Sequence, residues 1–239
     1  MEKIRGLLLG TTLAVGVALA AGSAFAADLP TGVVRAPAAV EAGGSYVSVF
    51  AGVAFPVTAS GGYSDSTFDA DFQTGYIVGG ALGTHLAPNL RGEIELSYVS
   101  HNVSGTLTVH TSGGASQPTT DTGGLSTLYL LGNLWYDIDT GGGITPYVGG
   151  GAGLAVVMPN NFAFGSGGEV FSTAAVALAG QLGVGVKFQL ADNMTVDLGY
   201  RAKGVFNATL VPNSGTGTNN ATAVHYIDQT VQLGLTVGF

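Results

Sequence analysis

The side chains best able to do nucleophilic chemistry in this sequence are its serines and its four histidines, His85, His101, His110 and His225. His110 and Ser112 are separated by one residue, a spacing at which an imidazole could serve as base for a serine nucleophile. The segment around them is rich in Ser, Thr and Gly and does not resemble a rigid strand end that would position the pair. We therefore predict no catalytic residues.

A metal or cofactor site is not predicted either. No two histidines have ligand spacing with carboxylates beside them, and the chain has no cysteine, hence no thiolate ligand and no disulfide. Asp65, Asp69 and Asp71 could attract a divalent cation weakly, but a solvated acidic loop is the simpler interpretation. The glycine run at 149–153 is followed by no Lys-Ser/Thr pair and opens no helix, so it does not indicate a phosphate-binding loop.

Charged residues recur at every second position of several segments, which predicts that they share one interior. The predicted set is Arg91, Glu93, Glu95, Asp137, Lys187, Asp197, Arg201, Lys203 and Asp228. Paired opposite charges would offset each other's desolvation and close the interior as a plug. The alternative is a charged constriction that selects ions. A narrow bore favours the plug. The number of strands limits the width of the bore, so the choice depends on the strands that position these residues.

Eight segments of alternating apolar and polar residues are the elements expected to position these charges. Period-two alternation is typical of β-strands whose two faces meet different environments. The predicted strands cover residues 45–56, 72–86, 89–103, 125–138, 144–158, 172–190, 193–209 and 224–239. The connections at 87–88, 139–143 and 191–192 are short, whereas those at 57–71, 104–124, 159–171 and 210–223 are long and polar.

The sixth segment shows the two faces most clearly. One face carries Val176, Leu178, Leu182 and Val184 among other apolar residues, and the opposite face is small or polar. Lipid outside and a narrow polar lumen inside would produce this pattern, whereas a soluble sheet has its large apolar residues inside. We expect the same arrangement in the third segment, with Leu96 outside and Glu95 inside.

The amino-terminal residues are typical of an export signal. Lys3 and Arg5 precede an apolar run, and Ala24 and Ala26 occupy the −3 and −1 positions of a cleavage site before Ala27. We expect residues 1–26 to be a removed Sec-type signal peptide, 27–44 a periplasmic extension, and 45–239 one barrel domain. Beyond residue 26, no apolar run approaches the roughly 18 residues of a helical span, and only closed barrels otherwise satisfy the backbone in lipid.

Composition narrows the partners. The chain has a formal net charge of −8; without residues 1–26, which remove two basic residues and one acidic residue, it would be −9. An acidic chain of this kind is not expected to bind nucleic acid, which requires Lys and Arg to neutralise phosphates.

Outward-facing aromatic residues are predicted near the strand ends, as in the girdles of membrane barrels. The predicted loop-end girdle is Phe55, Tyr76, Tyr98 and Tyr200, and the turn-end girdle is Tyr136, Phe188 and Phe239. The last segment alternates apolar residues up to a terminal aromatic, and this predicted assembly signal is Val231, Leu233, Leu235, Val237 and Phe239.

These features together resemble the small outer-membrane β-barrel family that includes opacity-type and alphaproteobacterial surface proteins. The matching pieces are residues 26–30, the segment 145–153, Leu198-Gly199-Tyr200-Arg201 and Phe239. The resemblance implies an eight-stranded antiparallel transmembrane β-barrel in a Gram-negative outer membrane, with the last strand read by the barrel-assembly machinery. It implies no shared active site.

The function expected from the resemblance is a structural and surface-interaction role, not an enzymatic one. Its partners would be outer-membrane lipid, lipopolysaccharide and a surface ligand reached through the four long loops. A passive channel for small solutes is the alternative. The third possibility is a lipid A-modifying barrel enzyme, in which the His-x-Ser spacing of His110 and Ser112 also occurs.

Overall fold

A computed structural model describes residues 44–56, 59–63, 66–70, 73–111, 117–164, 169–171, 173–210 and 222–239. These residues form eleven β-strands. The strands are β1 (Ser45–Pro56), β2 (Ala59–Tyr63), β3 (Ser66–Ala70), β4 (Gly75–Ala87), β5 (Leu90–Thr111), β6 (Gln117–Asp137), β7 (Ile144–Phe164), β8 (Glu169–Phe171), β9 (Ala175–Ala191), β10 (Met194–Leu210) and β11 (Thr222–Gly238). The described residues include no helix long and apolar enough to cross a membrane.

Eight of these strands close into an antiparallel barrel. The strands pair in the order β1, β4, β5, β6, β7, β9, β10 and β11, and β11 returns to β1. Closure leaves no unpaired edge through the length of the barrel, so the backbone groups are satisfied internally as lipid requires. The predicted fold class is confirmed.

The pairing register fixes the tilt of the strands. Hydrogen-bonded partners traced once around the barrel start at Tyr46 of β1 and return to β1 at Pro56, ten residues farther along the strand. The path runs through Gly83, Glu93, Asn133, Gly151, Gln181, Lys203 and Asp228. Eight strands with this stagger tilt by about 40° and enclose an interior that side chains can fill.

The two faces of the barrel wall differ as the alternation predicts. On β9, Val176, Leu178 and Leu182 are 67%, 67% and 73% exposed, whereas the intervening Ala177 and Ala179 are buried. The same contrast holds on β5, where Leu96 is exposed and Glu95 is fully buried. The apolar face therefore points outward, where lipid would replace water, and the predicted face assignments in these strands are confirmed.

The extent of the long connections was predicted wrongly. Segments 57–71, 104–124 and 159–171 contain strands: β2 and β3 lie in the first, β5 and β6 continue into the second, and β7 and β8 occupy much of the third. The polar composition of these segments hid the strands, because backbone pairing beyond the apolar band needs no apolar face. Most of segment 210–223 lies outside the described residues.

The β2–β3 hairpin extends the wall at the loop end. β2 pairs with β11 through Gly61 and Val224, and β3 pairs with β5 through Phe68 and Val109. The hairpin thus takes the place of β1 and β4 between β5 and β11 above the point where those two strands end.

Inward-facing glycines make room for the largest interior side chains. A Cβ atom added at Gly185 would lie 2.5 Å from the ring of Tyr147, and one at Gly83 would lie 2.2 Å from the ring of Tyr46. These approaches are far shorter than van der Waals contact. Glycine on one strand is therefore the packing partner of an aromatic residue on another, which accounts for part of the high glycine content.

Candidate functional site: the barrel interior

A charged cluster fills the half of the interior that lies nearest the short turns. Arg91 donates through Nε to Asp137 Oδ2 at 2.9 Å and through Nη1 to Glu93 Oε1 at 3.0 Å. Lys187 Nζ donates to the same Asp137 Oδ2 at 2.6 Å. The Arg91 guanidinium also lies 5.5 Å from the centre of the Tyr147 ring. Two cations and two carboxylates thus link three strands of the barrel, β5, β6 and β9.

Aromatic side chains complete this turn-side cluster. Glu93 accepts a hydrogen bond from Tyr46 Oη at 2.8 Å and another from Trp135 Nε1 at 2.7 Å. Tyr147 Oη donates to Asp197 Oδ2 at 2.9 Å. Glu93 is therefore held by phenol and indole donors as well as by its ion pair with Arg91, and Asp197 is held by a phenol donor.

Glu95 is the centre of a second cluster, at mid-height. Its carboxylate accepts from Lys203 Nζ at 2.5 Å and from Arg201 Nη1 at 2.9 Å. Gln181 Nε2 and Asn133 Nδ2 donate to Oε2 at 2.7 and 2.9 Å. Since the side chains of Glu95 and Lys203 are both 0% exposed, this carboxylate binds residues of β6, β9 and β10 to β5 in an interior without solvent access.

Asp228 belongs to a third cluster, near the loop end, with partners that the sequence did not suggest. His101 Nε2 lies 3.0 Å from Asp228 Oδ1, and Tyr129 Oη donates to Oδ2 at 3.0 Å. His101 Nδ1 lies 3.1 Å from the backbone carbonyl oxygen of Gln73. This cluster therefore connects β5, β6 and β11 inside the barrel, near the loop ends of β1 and β4.

An apolar layer surrounds the loop-end cluster. Its buried side chains are Phe50, Ala54, Ile77, Val99, Leu125, Tyr129, Leu131, Ala155, Val157, Ala175, Ala177, Ala179, Val205, Ala208 and Tyr226. The inner face of β9 is small or polar as expected, but other strands contribute large buried side chains to both halves of the interior, such as Trp135 in the turn-side half and Tyr129 in this half. Large side chains here fill the bore against a wall of alanines on β9, so no polar lining is required.

One small cavity lies in the turn-side cluster. Arg91, Lys187, Asp197 and Arg201 are among its lining residues, and its volume is about 20 Å³. A volume of this size holds about one water molecule. The cavity is therefore a small packing space within the cluster.

All nine predicted interior charges are brought inside the barrel. Seven are buried, Lys187 and Asp197 are half-buried, and their described partners form the three clusters above. Pairing between individual residues could not be predicted, because Glu95 and Lys203 lie 108 positions apart. Tyr46, Trp135, Asn133 and Gln181 were missed as partners, although each has the inward parity of its strand.

The predicted girdle residues all point outward. Phe55, Tyr76 and Tyr136 are 44%, 52% and 52% exposed, and Tyr98 and Tyr200 are partly covered. Tyr200 donates a hydrogen bond to Gln229 Oε1 at 2.8 Å, and β10 continues ten residues beyond it. The predicted end of this strand, at residue 209, is close to the observed one, whereas β5 continues thirteen residues beyond Tyr98 instead of the five predicted.

The remaining predicted residues belong to the assembly signal, the cleavage site, the acidic segment and the His-x-Ser pair. Val231 and Leu233 face outward, and the backbone nitrogen of Phe239 donates to the Ser45 carbonyl oxygen at 2.9 Å. Their part in assembly stays a prediction. The cleavage-site residues Ala24, Ala26 and Ala27, together with Asp65, Asp71 and Ser112, lie outside the described residues. Among the described residues, no group of three or more His, Cys, Asp or Glu residues is arranged to hold a metal ion.

Three solved structures are similar to this chain in fold and distant from it in sequence. Neisserial surface protein A is 18% identical, with a TM-score of 0.50, and the match covers 82% of this chain and 97% of that protein. OprG from Pseudomonas aeruginosa is 16% identical, with a TM-score of 0.52 over 83% and 97% of the two chains. The outer membrane protease OmpT from Escherichia coli is 9% identical, with a TM-score of 0.51 over 82% and 97%. At these identities the likeness establishes the fold alone.

Sequence comparison gives the family. The chain matches none of the curated proteins with which it was compared. The family model described as the outer membrane protein beta-barrel domain matches residues 12–239, nearly the whole chain. With the closed eight-stranded barrel and its apolar outer face, this match places the protein in the Gram-negative outer membrane. The chain belongs to the outer membrane protein beta-barrel family.

Proposed function

We propose that this protein is a closed-lumen surface barrel, with a structural and surface-interaction role and no solute-conducting or catalytic one. The observation that supports the proposal most strongly is the mid-height cluster, in which Glu95 binds Lys203 and Arg201 without solvent access. A permeating ion would have to displace these contacts and leave buried charges unpaired. That displacement is strongly unfavourable in a dry interior.

The apolar layer is a second obstacle, above the turn-side and mid-height clusters. Ile77, Val99, Tyr129 and Val205 are at most 1% exposed, so they pack against one another across the bore. A hydrated ion would have to shed its water to pass such a layer. Two barriers of different chemistry in series make a resting conductance unfavourable.

Conductance in planar bilayers tests the proposal directly. We expect the unmodified barrel to show no stable steps. The paired variant Glu95→Gly with Arg201→Gly keeps the net charge and removes the centre of the mid-height cluster, so it should leak. Leu182→Ala, which shortens an outward residue that is 73% exposed, is the control and should stay closed. A large, stable conductance from the unmodified protein would establish the passive channel instead.

Lipid A mass spectrometry tests the absence of catalysis. Cells with and without the protein should have the same lipid A species. A lipid A species that is lost or gained only when the protein is present would show that the barrel is a lipid-modifying enzyme, provided that Ser112→Ala returns the lipid A profile to that of cells without the protein.

The surface ligand would be reached through the loop-end segments 57–71, 104–124, 159–171 and 210–223.

A further inference from the structure

A polar notch lies on the outer face of the wall where β5, β6 and β7 continue past the apolar band. Asn102, Gly124 and Asn160 are direct partners along one row of these three strands. Both asparagine side chains are exposed. A Cβ atom at Gly124 would lie 3.7 Å from Asn160 Cβ and 4.0 Å from Asn102 Oδ1. The glycine therefore leaves a shallow gap with an amide on each side.

A hydrogen-bonded floor holds the notch in shape. Ser126 Oγ receives hydrogen bonds from Tyr98 Oη at 2.8 Å and from Asn160 Nδ2 at 2.9 Å. Ser100 Oγ lies 3.2 Å from the same atom. Ser126 is 2% exposed although it has outward parity, because these neighbours cover it. The notch is thus a built polar surface and not a set of isolated side chains.

The notch lies just beyond the bilayer's apolar zone. Leu96 and Ile94 on β5 are 53% and 65% exposed and belong to the lipid-facing band, which ends at Tyr98. Asn102 is four residues farther along, and at about 2.5 Å of rise per residue it lies about 10 Å above Tyr98. The β6–β7 register shift between Thr122 and Gly124 falls directly next to the notch. Such irregularities re-aim side chains.

The chemistry of the outer face excludes direct phosphate binding in this region. The cations among the described residues are Arg91, Lys187, Arg201 and Lys203, and all four point into the barrel. Phosphate recognition depends on Arg or Lys. Amides and hydroxyls offer both donors and acceptors without charge, which matches the alternating donor and acceptor character of sugar hydroxyls.

We propose that the notch formed by Asn102, Gly124, Ser126 and Asn160 binds sugar hydroxyls of lipopolysaccharide in the outer leaflet. Its height is that of the sugars adjoining the lipid anchor. Binding would not need divalent cations, because the residues of the notch carry no carboxylate for a cation to bridge. The proposal concerns the outer wall and does not depend on whether the lumen conducts.

The test compares two lipopolysaccharide preparations with the same lipid A, one retaining its core sugars and one lacking them. Affinity for the purified, folded barrel is measured with each, once with Mg²⁺ present and once in EDTA. We expect the sugar-bearing form to bind about thirtyfold more tightly, since two amide hydrogen bonds at about 1 kcal/mol each contribute a factor of this order. Asn102→Leu with Asn160→Leu should remove this preference. Asn193→Leu, the same change in an exposed turn at the opposite end of the barrel, should keep it.

Folding of each variant is checked by its heat-modifiable migration in gels, and Asn102→Leu alone replaces the double variant if the latter does not fold. The single variant should lower the preference several-fold. Equal affinity for the two preparations would overturn the proposal, as would a preference that the asparagine variants leave unchanged. A preference that disappears in EDTA would show instead that divalent cations bridge phosphates to carboxylates elsewhere on the protein.

Discussion

Replacing Glu95 by Gln should destabilise the barrel more than any other single loss of charge in the interior. The carboxylate accepts hydrogen bonds from Lys203, Arg201, Gln181, Asn133 and Ser97, at 2.5 to 2.9 Å. An amide of the same shape keeps the volume but leaves two buried cations without a counter-charge. Breaking a buried ion pair from one side costs about 3–5 kcal/mol, and we expect a loss in this range.

The assay is equilibrium unfolding by urea in lipid vesicles, followed by tryptophan fluorescence and by gel migration. Glu93→Gln is the matched control, because its partner Arg91 keeps a second carboxylate in Asp137 at 2.9 Å. We expect this control to lose clearly less stability than Glu95→Gln.

A double variant isolates the electrostatic reason for the loss. Adding Lys203→Met to Glu95→Gln removes one of the two stranded cations while keeping an unbranched side chain of similar length. Part of the lost stability should return, since an apolar replacement of a buried ion pair is often neutral. The reasoning is refuted if Glu95→Gln unfolds like the parent, or if Lys203→Met lowers the stability of the double variant further.

Three further predictions concern other parts of the wall. Leu182→Arg should lower the free energy of unfolding by about 2–4 kcal/mol, because Leu182 faces lipid; a variant as stable as the parent would invert our assignment of the β9 faces. Gly185→Ala should cost about 1–3 kcal/mol through overpacking against Tyr147, and Tyr147→Leu in the same chain should recover only part of it in the same unfolding assay, because the new methyl group also lies 2.7 Å from the Leu198 carbonyl oxygen. Arg201→Ala should lower stability by a few kcal/mol and admit a cation-preferring leak in planar bilayers; an anion-preferring leak would contradict the idea that uncompensated carboxylates line the path.

Alternation alone was enough to predict the eight barrel strands and the orientation of their faces. Leu182 and Glu95 could be assigned to opposite sides of the wall because period two leaves no intermediate orientation. The partners of a given charge depend on the stagger between strands, and no single strand encodes that stagger. Glu95 thus meets Lys203 and Gln181 because of a ten-residue offset accumulated around the barrel.

The contact between His101 and Asp228 and the strands beyond the apolar band were not predicted, because both depend on how distant strands pair. His101 was weighed as a metal ligand and set aside, yet its inward parity places it beside Asp228. The strands beyond the band, such as the far half of β5, are rich in Ser, Thr and Gly with few large apolar residues between them, so they resemble loops. Their regularity comes from pairing with neighbouring strands, which is a property of the assembled sheet and not of the local sequence.

The length of β5 has a consequence for how the cell presents this protein. The strand continues thirteen residues past Tyr98, to Thr111, which at the tilt of the barrel is about 30 Å of hydrogen-bonded backbone above the lipid. The far ends of β5 and β6 are therefore held at a set distance from the membrane. Antibodies raised against the folded protein should therefore recognise shapes made by paired strands, and peptides copied from 102–124 should compete with them poorly. Foreign epitopes inserted between β5 and β6 would be displayed at the same height without disturbing the charged interior far below.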